Sequence, residues 1–237
     1  MKPYLYSLKI FLKQIWEDSM LAAICGVPVL MALLFRFGVP ELEMLLCQTL
    51  GTTTVLSEYY LLFDLFLVVM TPYLFTFISA MVMLGELDEN MAVYLAVTPL
   101  GKKGYIISRL VLPAAISLVL SVVLLSFFAL TPWTFGGVLL VSLLCALLCL
   151  PVAMLIVTLS HNRVEGMAVA KLSGLVLFGL PIPFFLPEGI QYLFSWLPSF
   201  WVAKVFVSAN GWLAFPAVFV TLIWIWALYR HFARKMI

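Results

Sequence analysis

The sequence that decides how this chain folds is the polar stretch at 85–109, GELDENMAVYLAVTPLGKKGYIISR. It contains three of the 11 acidic residues and three of the 13 lysines and arginines, and long apolar runs flank it on both sides. Charged groups are unstable in lipid hydrocarbon, so a stretch of this composition belongs in water. We therefore expect it to lie outside the membrane and to meet a partner there.

The rest of the chain is dominated by apolar residues. Of its 237 residues, 65% are hydrophobic and 10% are charged, whereas a soluble domain carries about 25% charged residues. A helix needs about 20 apolar residues to cross a bilayer. The chain is therefore predicted to be one all-α integral membrane domain over 1–237, with no room for a soluble domain. Six spans are expected, at about 19–37, 59–84, 106–130, 135–160, 167–185 and 212–229.

Two further segments complete the predicted topology. Residues 2–18 carry an apolar stripe that includes Leu8, Phe11 and Ile15, with Lys9 and Lys13 on one flank, which is typical of a helix in the membrane interface. A cleaved signal peptide is the alternative, but the next apolar run lacks a clear cleavage site. The amphipathic stretch 187–211 is expected to form short or re-entrant helices on the outer side.

The positive charges predict the orientation. With the N-terminus inside the cell, 11 of the 13 lysines and arginines fall in cytoplasmic segments, and Arg36 and Lys204 are the two outside. Cytoplasmic loops of membrane proteins are enriched in these residues, so both termini are predicted to be cytoplasmic. The inside residues are Lys2, Lys9, Lys13, Lys102, Lys103, Arg109, Arg163, Lys171, Arg230, Arg234 and Lys235.

The polar stretch itself predicts a short helix at 86–98. Apolar residues recur there at helical spacing, and acidic residues lie near the N-terminal end, where they complement the helix dipole. Thr98 precedes Pro99, and a residue before proline is driven out of the α conformation, so the helix should end there. The apolar positions are Leu87, Met91, Tyr94 and Leu95, and the acidic ones are Glu86, Asp88 and Glu89. A solvated loop is the alternative.

Asp64 and Lys171 are two of the charged residues that fall inside predicted spans, and each has alternative roles. Asp64 lies in the outer part of span two, where it either faces a pathway or is held by hydroxyls or water. Lys171 can reach the cytoplasmic surface or pair with Glu165. Together with Asp64, the predicted translocation pathway comprises Phe66, Met70, Phe75, Phe178 and Phe184, with core packing as the alternative.

The topology and several motifs resemble the ABC-2 type permease family, the membrane subunits of bacterial ATP-driven exporters, and in particular its small drug-exporter-like group. In that family a pair of glutamates precedes a short helix and a hydroxyl–Pro–Leu step into the third span. The corresponding residues here are Glu86 and Glu89, LAVTPL at 95–100, then Tyr105 and Arg109. The stretches NRVEG at 162–166 with Lys171, and LPSFW at 197–201 with Lys204, are similar as well. Many members carry Gly-Thr after the second glutamate, where Asn90 and Met91 stand here.

This resemblance implies a coupling helix that docks on a separately encoded ABC ATP-binding subunit, which carries the ATP and Mg. It also implies an elbow helix at 2–18, a second cytoplasmic loop near the partner, and a second copy or similar permease in a bacterial plasma membrane. The implied coupling residues are Glu86, Asp88, Glu89, Met91, Tyr94, Leu95, Thr98 and Pro99, and the second loop has Asn162, Arg163, Glu165 and Lys171. Lipids are the other expected partners, and no nucleic acid is expected.

No enzymatic site is predicted in the chain itself. It has no phosphate-binding GxxxxGK[ST] motif, no H-E-x-x-H and no G-x-S-x-G, and its four cysteines lack metal-site spacing. We therefore expect no catalytic residue, no metal and no cofactor in this chain. A channel or secondary transporter that uses no ATP remains the alternative function. The apolar spans favour a hydrophobic or amphiphilic small molecule or peptide as the exported substrate.

Overall fold

The computed structural model describes residues 2–51, 53–89 and 101–236, and every regular element in these ranges is a helix, as predicted. The first half contains α1 (Lys2–Glu17), α2 (Ser19–Leu33), α3 (Val39–Leu50), α4 (Tyr60–Asp88), α5 (Gly101–Ile106) and α6 (Leu112–Phe128). The second half contains α7 (Phe135–Leu159), α8 (Arg163–Ser173), α9 (Ile182–Phe185), α10 (Glu188–Gln191), α11 (Pro198–Val207) and α12 (Ala214–Met236).

Five helical stretches among the described residues are long and apolar enough to cross a membrane: Ser19–Leu50, Ser57–Asp88, Gly104–Phe128, Phe135–Leu159 and Gly211–Lys235. The chain is therefore a multi-pass, all-α membrane protein. Four of the stretches contain predicted spans at similar positions, but the first is much longer than the predicted 19–37.

The first span continues past its expected end because Pro40 does not break the helix. A proline cannot donate a backbone hydrogen bond to the carbonyl four residues earlier. Here a π-helical segment, Leu34–Gly38, precedes the proline and carries the helix into α3. The stretch ends at Gly51, whose positive φ of 67° is favourable for glycine.

The segment expected to be the fifth span, 167–185, is not one continuous α-helix. It consists of the end of α8, a 3₁₀-helix at Gly174–Gly179, and the four-residue α9. The Tyr73 hydroxyl donates to the Ala170 carbonyl over 2.8 Å, which is the carbonyl that an α-helix would pair with residue 174. Pro181 and Pro183 then remove two further backbone donors.

Helix α4 is the centre of the bundle, and neighbouring helices complete its hydrogen bonds. Pro72 leaves the Val68 carbonyl without its helical donor, and Ser121 of α6 donates to that oxygen over 3.4 Å. The reverse arrangement occurs at Pro113, which has no N–H for the Arg109 carbonyl four residues earlier, and Ser79 of α4 donates to that carbonyl. The small residues of the third span, Ala114, Ser117 and Ser121, are buried, as close helix approach requires.

Helix α1 packs against the bundle through its apolar face. Phe11 and Ile15 are buried in a core cluster with residues of α4, whereas Trp16 is 79% exposed. The helix occupies nearly all of the predicted 2–18 range and ends where Asp18 caps α2, its carboxylate accepting from the backbone N–H groups of Met20 and Leu21.

The two ends of the bundle differ in their polar contacts. The basic end contains Asp18, Glu86, Arg109, Arg163 and Lys235. The loop end contains Arg36, Asp64, the 129–134 connection, Gln191 and Lys204. Arg36 donates to the Ala129 carbonyl over 2.8 Å, which joins the first span to the loop end.

Candidate functional site

A buried ion pair lies at the centre of the basic end. Arg109 Nη2 is 2.5 Å from Glu86 Oε1, Arg109 Nε is 3.1 Å from both carboxylate oxygens, and neither side chain is more than 1% exposed. Tyr105 donates its hydroxyl to Glu86 Oε2 over 2.7 Å. Buried charges persist only when they are paired and hydrogen-bonded, and this pair meets both conditions. It fastens the last turn of α4 to the first turns of the third span.

Helix α1 contacts the same ion pair. The Arg109 guanidinium carbon lies 5.3 Å from the centre of the Phe11 ring and 5.7 Å from that of Tyr105. A guanidinium over an aromatic face is attracted to the ring by its quadrupole. The start of the chain is thereby packed onto the charge that joins α4 to the third span.

A second ion pair joins the first span to α8. Arg163 Nη2 lies 2.5 Å from Asp18 Oδ2, and the Arg163 backbone N–H donates to Asp88 Oδ2 over 3.2 Å. The hydrogen bond from Arg163 is the largest influence on Asp18 and holds the pKa of its carboxyl below the ordinary value. Gly85 lies beside the Arg163 side chain, and a β-carbon added at Gly85 would be 3.4 Å from Arg163 Cδ. Arg163 therefore connects the start of α2, the end of α4 and the start of α8.

The second cytoplasmic loop predicted at 162–171 forms its own local contacts. Asn162 caps α8 by accepting from the Glu165 backbone N–H over 2.9 Å. Glu165 accepts from the His161 backbone N–H at 2.7 Å and lies 3.1 Å from His161 Nδ1. The backbone bond to His161 lowers the pKa of Glu165 below its ordinary value. Glu165 thus pairs with His161 rather than with Lys171, which is exposed.

An acidic cavity of about 520 Å³ lies beside both ion pairs. Two polar side-chain atoms here are buried without a hydrogen-bond partner in the described part of the chain, Gln14 Oε1 and Arg163 Nε. The lining carries four carboxylates and one guanidinium: Glu17, Asp18, Glu86, Glu89 and Arg163, with Gln14 among them. Three of these carboxylates are paired, Glu86 with Arg109, Asp18 with Arg163 and Glu17 with Lys13 at 3.3 Å, so the net negative charge of the wall is small.

The structure corrects the start of the predicted coupling helix. Glu86 and Asp88 are not part of a separate helix at 86–98, because α4 continues without a break to Asp88 and Glu89 caps it. Glu86 is buried by its pairing with Arg109, so it cannot itself contact a partner, whereas Asp88 and Glu89 are exposed. The other predicted coupling residues, Met91, Tyr94, Leu95, Thr98 and Pro99, lie outside the described residues.

Asp64 does not face an open pathway within this chain. It is 1% exposed, and its carboxylate accepts from the Leu130 and Thr131 backbone N–H groups at 2.9 and 3.0 Å. The Thr131 hydroxyl and Trp133 Nε1 also donate to it, over 2.5 and 2.9 Å. The carboxylate therefore holds the tight turn between α6 and α7, which agrees with the alternative in which hydroxyls hold it.

The five apolar residues of the predicted pathway do not all lie together. Phe66, Met70 and Phe184 are partly buried and pack against the core near the loop end. Phe75 is half-buried, and Phe178 is 63% exposed on the 3₁₀ segment. Of these five, Phe178 alone stands largely open to the surroundings.

Three residues of the two ion pairs and their surroundings are not among the predicted site residues: Tyr105, Arg109 and Asp18. The family resemblance places Tyr105 and Arg109 only at the entry to the third span. The sequence does contain a signal for both residues. Tyr105 and Arg109 are four residues apart and so lie on the same helix face. An arginine inside an apolar span is stable when a carboxylate lies beside it. For Asp18 the sequence signal was its position as a helix cap.

Comparison with known proteins gives the family. The model of the Rv2686c-like fluoroquinolones export permease family matches residues 11–230. Two curated relatives, the fluoroquinolones export permease proteins MT2760 and Rv2686c of Mycobacterium tuberculosis strains CDC 1551 / Oshkosh and ATCC 25618 / H37Rv, are each 24% identical over 228 residues, covering 93% of this chain and 90% of theirs. No solved structure matches the chain significantly. By the extent of the family match, the chain belongs to the Rv2686c-like export permease family.

Proposed function

We propose that this chain is the permease subunit of an ATP-driven exporter that moves an amphiphilic small molecule, such as a fluoroquinolone, out of a bacterial cell. ATP and Mg are bound by a separately encoded ATPase, and this chain catalyses no reaction. Two permease chains, identical or similar, form the membrane part. Both termini are cytoplasmic, so the basic end faces the ATPase, and 163–185 makes a sixth crossing as a broken helix. Support comes from the family match and from the resemblance to ABC-2 permeases.

The observation that carries this proposal is the buried ion pair between the two residues that flank the segment 90–100, Glu86 and Arg109. Glu86 precedes that segment by four residues and Arg109 follows it by nine, and their 2.5 Å ion pair holds the end of α4 against the start of the third span. A force applied to 90–100 is thereby delivered to α4 and to the third span at once. A rigid, packed contact of this kind transmits a small displacement rather than absorbing it.

The second ion pair extends the same connection to other helices. Asp18 begins α2 and Arg163 begins α8, and both adjoin the end of α4 through Asp88 and Gly85. Four membrane segments thus meet within two turns of the contact with the ATPase. ATP-driven closure of the ATPase would rock these ends and open the pathway at the other side.

The test is reconstitution of the chain with the ATPase encoded beside its gene. We expect a stable complex that hydrolyses ATP and drives the accumulation of norfloxacin inside inverted vesicles, whose outer surface is the cytoplasmic face. Charge reversal at the exposed residue that caps α4, Glu89→Arg, should weaken the complex, since it alters the contact surface without removing the buried ion pair or the contact of Asp88 with Arg163.

The matched control is Glu41→Arg, which reverses one exposed acid away from the basic end. It should leave assembly and ATP hydrolysis unchanged. If no ATPase associates, or if the wild type exports norfloxacin without ATP, the exporter proposal fails. The channel or secondary-transporter alternative would then take its place.

A further inference from the structure

One exposed face of the broken fifth segment combines a lone cation with apolar groups. Lys171 is exposed near the end of α8, and Leu172, Leu175 and Phe178 beyond it are 66%, 58% and 63% exposed. A lysine next to such a surface is stable only where it reaches water or an anion. Glu165, the acid nearest to Lys171 in sequence, is paired with His161 and not with Lys171.

This face continues into an apolar cavity of about 420 Å³. Leu175 and Phe178 belong to both the face and the cavity wall. The other wall residues include Ile182, Phe185, Phe194 and Trp196. A volume of this size with an aromatic lining is within the range of small-molecule sites, about 300–1,000 Å³.

The aromatic walls of the cavity are held in place by neighbouring rings. Phe185 stacks on Tyr59 with centroids 5.2 Å apart, and Trp196 stacks on Trp224 at 6.2 Å. Trp224 also donates its Nε1–H to the Trp196 carbonyl over 3.1 Å. Rings fixed in this way lose little conformational freedom when a flat ligand packs on them.

The cavity also owes its shape to the break in the helix. Gly179 at the end of the 3₁₀ segment lies against α11, and a β-carbon there would stand 2.2 Å from Ser199 Oγ. Ser199 in turn donates to the Val176 carbonyl over 2.5 Å. The close approach of these two segments sets the floor from which Phe178 and Ile182 extend.

We propose that Lys171, Phe178 and this cavity form a binding site for an aromatic amphiphile that carries a carboxylate. The carboxylate pairs with the Lys171 ammonium, and the aromatic body packs along Phe178 into the cavity. The spacing suits such a molecule, since seven residues of mixed α- and 3₁₀-helix advance roughly 12 Å from Lys171 to Phe178. This inference rests on the proposed function, because it names the substrate class and the residues that select it.

The experiment is equilibrium binding to the purified chain in phosphatidylcholine nanodiscs, with no ATPase present. The probes are norfloxacin, which has a free carboxylate, and its methyl ester, which does not, and ligand fluorescence reports binding. The wild type should bind the acid about tenfold more tightly than the ester, as expected for one charge-assisted hydrogen bond. Lys171→Met should abolish that preference, and Lys171→Arg should retain it.

Two further variants separate the apolar part of the site from general effects. Phe178→Ala should weaken acid and ester to the same extent, whereas Phe219→Ala, at a phenylalanine of similar exposure, should weaken neither. Lys9→Met removes an exposed lysine of α1 and should leave the preference for the acid unchanged.

The outcomes distinguish this inference from the exporter proposal. Equal binding of acid and ester by the wild type, or an unchanged preference in Lys171→Met, overturns the site even if the chain assembles with an ATPase. A preference that disappears when phosphatidylglycerol is added to the discs would assign Lys171 to an anionic lipid and also overturn it. If the chain binds the acid selectively in this experiment but forms no complex with an ATPase in the reconstitution, the binding site stands and the exporter proposal is rejected.

Discussion

The two ends of the bundle stabilise buried carboxylates in different ways. At the basic end, Glu86 is bonded by Arg109 and Tyr105, which follow it across the segment 90–100. At the loop end, Asp64 is bonded mainly by N–H groups and a hydroxyl of one turn, at Leu130, Thr131 and Trp133. The first arrangement joins elements on both sides of a polar segment, whereas the second fixes a connection between two adjacent helices.

This difference indicates which end is built to transmit motion. The ion pairs of the basic end join four helical segments beside an acidic cavity, so they can respond together to a partner. The carboxylate of the loop end has its acceptors filled by one short turn, so it stabilises a fixed shape. A buried carboxylate is thus not a functional signal until its partners are known.

Breaking the buried ion pair should have the largest effect. Glu86→Ala leaves the Arg109 guanidinium buried without a carboxylate, which should lower the free energy of unfolding by about 3–5 kcal/mol. The double variant Glu86→Met with Arg109→Met should recover much of this loss, because replacing both charges by apolar groups is often close to neutral. Unfolding in detergent, followed by circular dichroism, measures both.

The same double variant tests whether the pair couples the ends of 90–100. It should fold but lose substrate-stimulated ATP hydrolysis with the partner ATPase. If the double variant is as unstable as Glu86→Ala, the instability of Glu86→Ala comes from lost local packing and not from an unpaired buried charge. The proposed contrast between the two ends would then be wrong.

At the loop end, Asp64→Asn should lower the free energy of unfolding by roughly 2 kcal/mol, since an amide cannot accept all the hydrogen bonds that the carboxylate accepts. The folded fraction should keep its ratio of transport to ATP hydrolysis. Measuring that ratio alongside thermal unfolding checks the assignment. A variant of normal stability that transports nothing would return Asp64 to the pathway.

The close packing of the broken fifth segment predicts a smaller loss. Gly179→Ala places a β-carbon against Ser199 Oγ and the Phe200 backbone nitrogen, so it should destabilise the protein by about 1–3 kcal/mol. Gly189→Ala is the matched control, because nothing lies within 4 Å of its added β-carbon. Equal unfolding temperatures for the two variants would contradict the packing of the 3₁₀ segment on α11.

The half-buried ion pair between Asp18 and Arg163 should contribute least. The folded-state pKa of Asp18 is depressed by Arg163, so its contribution is present above the ordinary pKa and is lost as the pH falls through the depressed value. Asp18→Asn should therefore cost less than about 1 kcal/mol at neutral pH, and nothing once Asp18 is protonated in acid. Unfolding of wild type and variant from pH 7 down to pH 2 checks this convergence, because the depressed pKa of Asp18 moves its protonation to lower pH.

Much of the candidate site was predictable from the sequence, and the missing part has a clear cause. The acids at 86–89 and the loop at 162–165 were identified because charges stand out in an apolar chain. Their partners were not, because Asp18 and Arg163 are 145 residues apart and their pairing depends on how the helices pack. The sequence left Asp64 between a pathway role and a structural one, since it shows a charge at membrane depth but not the turn that surrounds it.

The amino-acid sequence by itself determined that the chain is an all-α membrane protein with a polar segment between its second and third apolar runs. Those features follow from local composition and helical periodicity. The tertiary structure decided that the first span extends to Leu50, that the fifth segment breaks into short helices, and that Glu86 is buried. These outcomes depend on which carbonyls and charges find partners on neighbouring helices, as the Tyr73 hydroxyl does at Ala170, and no single segment contains that information.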